Sequence, residues 1–202
     1  MKIAVFGADG RTGRELVKQG MERNHEIVAF DRDFEDFEFD TEKVEGDALD
    51  YNDVEEAIDS CDAVLSGLAS YEGGNIVSNA TKTILKAMDE HDIDRYVVLT
   101  GAGAKLETER ERIDGKMMNT LLKLLQPGIL EDGKRMVRNI QNSDLDWTVV
   151  RAPRLTMGPM EGYELGDFQL GFIESVSRAD VAAAMLDVAE NDEFIQEMPM
   201  IK

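Results

Sequence analysis

The sequence predicts an α/β protein of a single domain, built on a doubly wound parallel sheet. Three observations carry that reading. Short apolar runs alternate with longer amphipathic ones along the chain, as strands joined by crossover helices require. The 202 residues, 43% of them hydrophobic, suffice for one sizeable core and are short for two. No internal repeat and no linker rich in Pro, Gly or Ser divides the chain.

The elements follow in order. Lys2–Phe6 is an apolar run of strand length. Thr12–Arg23 is a helix, because Leu16, Val17 and Met21 form one apolar stripe. Glu26–Phe30 is the second strand and Lys43–Gly46 a short third, followed by a short helix over Asn52–Ile58. Ala63–Ser66 is the fourth strand, Asn75–Glu90 a helix and Arg95–Thr100 the fifth strand. Two helices are expected near Arg112–Leu125 and Gly128–Asn142, then a sixth strand at Trp147–Arg151. Gly158–Gly171 reads as a long loop. Val181–Glu190 is a helix opened by Ser177, with Asp180 three residues later at capping-box spacing. Met198–Ile201 is expected as a last edge strand.

Composition narrows the function classes. A net charge of −20 would repel nucleic-acid phosphates and excludes that partner class. It suits a solubilising surface, and also a salty cytoplasm. No apolar run approaches the roughly 18 residues of a membrane span, and Met1–Phe6 is too short for a signal-peptide core. The single cysteine, Cys61, leaves no internal disulfide and no CxxC metal site, and no metal-ligand cluster is visible. A cytoplasmic protein is expected, with its oligomeric state open.

The stretch FGADGRTGRELV places Gly7, Gly10 and Gly13 between the first strand and the first helix. Gly7 would make the turn out of the strand, Gly10 would admit a pyrophosphate, and Gly13 would let the helix pack closely. The helix start then offers free N–H groups and a partial positive charge to phosphates, with Arg11 and Thr12 beside them. This is the Rossmann-like context in which a glycine triplet signals dinucleotide binding. A simple tight turn is the plain alternative.

AVFGADGRTGRELV resembles the N-terminus of the atypical short-chain dehydrogenase/reductases, among them the NmrA-like and NAD(P)H-binding proteins that include flavin reductase/biliverdin-IXβ reductase. Their usual form is GATGxTG, and this chain has Asp9 where threonine is common. EGDALD, DAVLSGLAS, RYVVLTGAGA, LDWTVVRAPRL and SVSRADVAAAML agree in order, so the resemblance spans nearly the whole chain. It implies NAD(P) contacts at Gly7, Asp9, Gly10, Arg11, Thr12 and Gly13, and at Asp47 and Ala48 for the adenine. It further implies Gly67, Leu68 and Ala69 beside the ribose and pyrophosphate, and Thr100, Gly101 and Ala102 at the nicotinamide ribose. Arg151, Ala152, Pro153 and Arg154 would close over the nicotinamide. All of these end predicted parallel strands, where open α/β sheets bind ligands.

Strand two ends in Asp31 and Arg32, and the two point in opposite directions. An acid here hydrogen-bonds the ribose 2′-OH of NAD, and an arginine pairs the 2′-phosphate of NADP. From Asp31 to Asp62 there are fifteen acids against two bases, Arg32 and Lys43. That surface repels a 2′-phosphate, so NADH is favoured slightly over NADPH.

The usual Tyr-x-x-x-Lys pair is absent: no lysine stands four residues after Tyr51, Tyr71, Tyr96 or Tyr163. Thr100 is expected to orient the cofactor, and catalytic residues stay unassigned. His25 and His91 read as surface residues at the far end of the sheet. The substrate side would be formed by about residues 103–135 and 154–176, where eight bases from Lys105 to Arg138 gather. The apolar residues from Met117 to Leu125 read as core or as a pocket lid, with Tyr163, Phe168 and Phe172 completing a pocket for a flat small-molecule acceptor. The resemblance thus implies a reductase passing hydride to a flavin, quinone or similar acceptor, or else a non-catalytic dinucleotide-binding redox sensor or regulator.

Overall fold

Alternate residues of each strand face opposite cores, and this period-two division organises the molecule. Ile3 and Val5 join one apolar cluster with Ile27, Ala29, Leu65 and Val150. Ala4 and Phe6 join the other with Val28, Phe30, Val64 and Val149. Strands buried on both faces need helices on both, which is why their sequences are continuously apolar.

The computed structural model describes residues 1–70, 74–103, 127–168 and 174–202. The strands are β1 (Lys2–Phe6), β2 (Glu26–Asp31), β3 (Glu42–Glu45), β4 (Ala63–Ser66), β5 (Arg95–Gly101), β6 (Asp146–Ala152), β7 (Arg154–Thr156), β8 (Leu165–Gly166), β9 (Ser175–Ser177) and β10 (Met200–Ile201). The described helices are α1 (Arg11–Glu22), α2 (Tyr51–Ile58), α3 (Ile76–Glu90), α4 (Pro127–Gln141) and α5 (Arg178–Glu190). The main sheet runs β3-β2-β1-β4-β5-β6-β10-β8, all parallel except the β10–β8 pair. This is the expected Rossmann-like doubly wound sheet, with α1 and α5 on one face and α2, α3 and α4 on the other. The helix expected near Arg112–Leu125, most of the basic run and Phe172 lie outside the described residues. No described helix is long and apolar enough to cross a membrane.

Three helices stop in the same way. After α1, α3 and α5, Asn24, Asp92 and Asp192 take left-handed φ of 63°, 55° and 52°. The next N–H returns to the helix in each case: His25 to Gly20, Ile93 to Met88 and Glu193 to Val188. Asn and Asp tolerate this conformation where glycine is more usual.

The C-terminal part departs from expectation. β10 is not an edge strand. It lies parallel to β6, and β8 covers its outer side through Met200–Gly166 and Ile201–Leu165 pairing. A two-residue strand containing glycine has no periodicity to read. β7 and β9 form a separate parallel pair, also unforeseen.

Asp180 fastens the loop before β8. Its buried carboxylate accepts from the N–H groups of Glu161 and Gly162 at 3.1 and 2.9 Å, and from the Ser177 hydroxyl at 2.7 Å. Ser177 in turn accepts from the Asp180 N–H at 2.9 Å, completing the capping arrangement expected at the start of α5. Asp180→Ala therefore leaves two loop N–H groups without their acceptor. Its unfolding free energy, read from the urea midpoint, is expected to fall by about 2–4 kcal/mol, while Asp187→Ala at the partly exposed end of α5 costs less.

Candidate functional site

The three glycines of the first loop meet three different demands. Gly7 leaves β1 with φ of +76°, and a Cβ there would lie 3.2 Å from the Leu68 nitrogen. Its N–H and that of Ala8 both donate to the Phe30 carbonyl, at 3.0 and 3.1 Å, which ties the loop to β2. Gly13 is the most constrained. A Cβ on it would stand 1.9 Å from the Gly7 carbonyl oxygen and 2.7 Å from Ala8 Cα. At Gly13, helix α1 thus packs on the backbone of its own loop, while Leu16 and Val17 further along it pack on the sheet. Gly10, with φ of −65° and ψ of 158°, could hold any residue, and its Cβ would meet only the Gly7 oxygen, at 3.1 Å. Its exclusion of side chains keeps open the space in front of the loop.

That space faces the bare start of α1. The N–H groups of Arg11, Thr12 and Gly13 have no acceptor among the described residues, and the first turn carries no acid. The contrast with other helices is sharp. Asp50 accepts from Asn52 N–H at the start of α2, and Ser177 caps α5. At α3 the buried Asp132 of α4 accepts from Val77 and Ser78, both at 3.0 Å. Three converging N–H groups at the positive end of a helix dipole fit the pyrophosphate of a dinucleotide. The Thr12 hydroxyl is unpartnered among the described residues and the Arg11 side chain is exposed, so both fit the same role.

The adenosine side is acidic and ordered. Asp31 accepts from the N–H of Asp9 through Oδ2 and from that of Arg32 through Oδ1, each at 2.9 Å. A carboxylate has about four acceptor positions, so two remain for a ligand diol. Arg32 is exposed and unpartnered among the described residues. Asp9 differs from its expected role. Its carboxylate turns to Arg14, at 2.6 Å, and to the N–H of Glu35, at 3.4 Å. Arg14 was not singled out in the sequence; its place one residue after Gly13 and five after an unusual Asp is the signal available there.

The remaining expected positions lie at strand ends. Asp47 is exposed, with its carboxylate accepting from Leu49 N–H at 2.9 Å in a local turn, and Ala48 is buried. Gly67 follows β4, its N–H on the Phe6 carbonyl at 2.9 Å; Leu68 is half-buried and Ala69 exposed. Thr100 and Gly101 end β5, and Ala102 N–H donates to Ala152 at 2.7 Å. Arg151 departs from expectation: it is buried, with Nε donating to the Met198 carbonyl at 2.8 Å, and so helps fasten the last strand. Ala152 is buried, Pro153 half-buried and Arg154 exposed just beyond the carboxyl end of β6.

No described tyrosine is placed to deliver a proton there. Burial pushes the Tyr96 hydroxyl up to about 12, against the opposing influence of Ser66 and Thr81 beside it. The Tyr51 hydroxyl engages Glu55 and Glu90. The Tyr163 hydroxyl is committed within the fold. It donates to Asp187 near the end of α5, where Arg23, just past α1, also binds Asp187. The Tyr163 backbone lies between Gly162, whose N–H is held by Asp180, and Glu164, whose N–H is held by the Lys202 carbonyl. Burial and the bond to Asp187 hold the Tyr163 hydroxyl well above its ordinary value. Phe168 lies under the Lys202 ammonium, 4.2 Å from its ring centre, beyond the covered last strand. The histidines are also less exposed than expected: His25 binds Glu190 at 2.7 Å and His91 binds Glu55 at 3.1 Å. Burial opposes ionisation of Glu190, yet bonds from His25 and Arg23 outweigh it and hold this carboxyl below its usual range. Among the described residues no group of His, Cys, Asp and Glu could hold a metal ion.

Comparison with known proteins agrees with this geometry. The chain is 26% identical to the YwnB protein of Bacillus subtilis over 210 residues, spanning 98% of this chain and 96% of that one. Its fold matches the anaerobillin reductase ChuY of Escherichia coli O157:H7 with a TM-score of 0.83 at 20% identity, covering 100% of this chain and 96% of that one. It also matches a Rossmann-fold NAD(P)-binding family protein of Shigella flexneri with a TM-score of 0.75 at 21% identity, over 100% and 92% of the two chains. The sequence model of the NAD(P)H-binding family matches residues 7–192, from the first glycine of the loop to the stop of the last helix, and the chain belongs to that family.

Proposed function

We propose that this protein is an NAD(P)H-dependent reductase that passes hydride to a flat small-molecule acceptor such as a flavin or quinone, with NADH favoured over NADPH. The observation that carries the reading is the uncapped start of α1 against the open face of Gly10, where every other helix start described has a side-chain acceptor at or beside it, α4 apart. When bound, the nicotinamide supplies the hydride. The chain's own residues bind and orient. The N–H groups of Arg11, Thr12 and Gly13 hold the pyrophosphate, Asp31 the adenosine ribose, and Thr100 the nicotinamide ribose. Orientation of acceptor against donor is the catalytic contribution, and a proton comes from water. ChuY, an anaerobillin reductase by its name, shares the fold, which supports the choice of a reductase.

NADH and NADPH oxidation followed against a panel of quinones and flavins tests the reaction. Turnover with at least one acceptor is expected. Tight dinucleotide binding with no turnover across the panel would favour the redox-sensor reading instead.

The loop gives a separate test. Gly10→Val needs only a slight shift of the Gly7 carbonyl, so the protein should fold with a urea midpoint close to wild type. The new side chain would fill the space in front of the α1 N–H groups. Calorimetric affinity for NAD(P)H is expected to fall by at least about tenfold, and unchanged affinity in the folded variant would remove the pyrophosphate assignment.

Cofactor preference should depend on salt. The 2′-phosphate meets Asp31 and the acidic run beyond it, and each close, partly screened repulsion is worth about 1 kcal/mol. Dissociation constants at low ionic strength are expected to favour NADH several-fold, with the gap narrowing as salt is added. Preference for NADPH at low salt would mean that Arg32 governs the site.

A further inference from the structure

Arg14 spends its whole guanidinium on the adenosine side of the site. Nε donates to the Asp9 carbonyl at 3.1 Å and Nη1 to the Asp36 carbonyl at 2.9 Å. Nη2 binds the Asp9 carboxylate at 2.6 Å and also the Glu35 carbonyl. The guanidinium lies 5.6 Å from the centre of the Phe37 ring, and the Lys43 ammonium lies 5.1 Å from that same ring. Phe37 packs in turn on Phe34 and Phe39, at 4.8 and 5.0 Å between ring centres. One side chain therefore joins the glycine loop to the segment that follows β2.

The Asp9 backbone completes the chain of contacts. Its N–H donates to Asp31 Oδ2, and its carboxylate accepts from the Glu35 N–H. The Asp9 backbone thus brings two carboxylates together, its own and that of Asp31, and Arg14 is the cation that binds the first of them to the segment after β2. Without it, the largely buried Asp9 charge would stand beside Asp31, Glu35 and Asp36 uncompensated. Like charges that close push the loop and the Asp31 side chain apart.

We propose that the Asp9–Arg14 pair is a positioning device that holds Asp31 for the 2′,3′-diol of the adenosine ribose, and so sets the preference of the site for NADH; this rests on the reading of the chain as an NADH-binding protein. Asp9, in the glycine loop, then contributes no repulsion to the phosphates, because its charge is spent on Arg14. The guanidinium is needed as a planar fork, since a lysine ammonium reaches one or two of these acceptors and not all four.

The test is a set of calorimetric dissociation constants for NADH and NADPH. The proteins are wild type, Asp31→Asn, Arg14→Lys, Arg14→Met and Arg14→Lys combined with Asp31→Asn. Lys18→Met, which removes the same charge one turn along α1, is the control. The NADPH-to-NADH ratio of dissociation constants is expected to fall several-fold in Asp31→Asn and in both Arg14 variants, and to stay at the wild-type value in Lys18→Met. In the Asp31→Asn background, Arg14→Lys should change the ratio no further, because Arg14 acts through Asp31. Arg14→Lys keeps the charge and so keeps the experiment decisive if Arg14→Met does not fold. A ratio unchanged in Arg14→Lys while Asp31→Asn shifts it would overturn the positioning role and leave NADH recognition standing. Equal effects of Lys18→Met and Arg14→Met would also overturn it, reducing the effect to net charge. Absence of binding to either dinucleotide in wild type would defeat the functional reading itself.

Discussion

The contact between Gly13 and the Gly7 carbonyl is the constraint from which the rest of the site follows. With only a hydrogen on Gly13, α1 begins directly beneath the backbone that leaves β1. The first-turn N–H groups are then held at the carboxyl edge of the sheet, with no side chain of the loop between them and solvent. Gly7 is drawn against Gly67 by the same packing, so the ends of β1 and β4 close into one surface. Arg14, the next residue in the helix, is carried over Asp9 and toward the segment after β2. A single side chain at Gly13 would therefore displace the phosphate-facing helix start and the acidic loop together.

Charge is distributed with the same economy. The chain has twenty more acidic than basic residues, yet several carboxylates are removed from the surface and set on backbone N–H groups. Asp132 serves α3, Asp180 serves α5 and its loop, and Asp31 serves the glycine loop. Each satisfies donors that burial would otherwise leave unpaired. Cations do the complementary work on carbonyls. The buried Arg95 donates to the carbonyls of Asp146, Val188 and Glu193 and to the Thr148 hydroxyl, joining β5, β6 and the end of α5. Burial lowers the Arg95 guanidinium from its ordinary range, though Asp192 and Asp146 counter part of that shift. The acidity is thus partly internal architecture.

What the sequence revealed was whatever repeats with a fixed period. The run Ile3–Phe6, the stripe of Leu16 and Val17 and the Ser177–Asp180 spacing depend on local geometry, so strands, helices and one cap could be read directly. The glycine spacing was legible because strand, turn and helix are contiguous in sequence. Long-range choices were not. Nothing local tells that Leu165–Gly166 covers the last strand, that Arg151 turns to Met198, or that Tyr163 reaches Asp187. Asp132 reads as an ordinary helical acid, and only the tertiary placement of α4 against α3 gives it two N–H groups to cap. Asp9 stood out in the sequence and Arg14 did not, because their joint role needs the segment after β2 to fold back over them.

The placement of α4 bears on the chemistry as well. Asp132 locks this helix to the start of α3, and the next residue, Gly133, stands over the end of β5. A Cβ there would come within 3.9 Å of the Thr100 hydroxyl oxygen, so glycine leaves room above that hydroxyl which any other residue would begin to fill. Lys134, one position further, binds Glu131 at 2.9 Å. The site therefore offers space and a hydroxyl at the end of β5, with no described tyrosine acid beside them. For hydride transfer to a flat acceptor this is sufficient, because the demanding requirement is stacking geometry, and an acceptor that gains its proton from water needs none from the protein. An aliphatic ketone, whose developing alkoxide is strongly basic, needs a proton as the hydride arrives, whereas a reduced flavin or quinone is a far weaker base, and that chemical difference is what the proposed reading draws on.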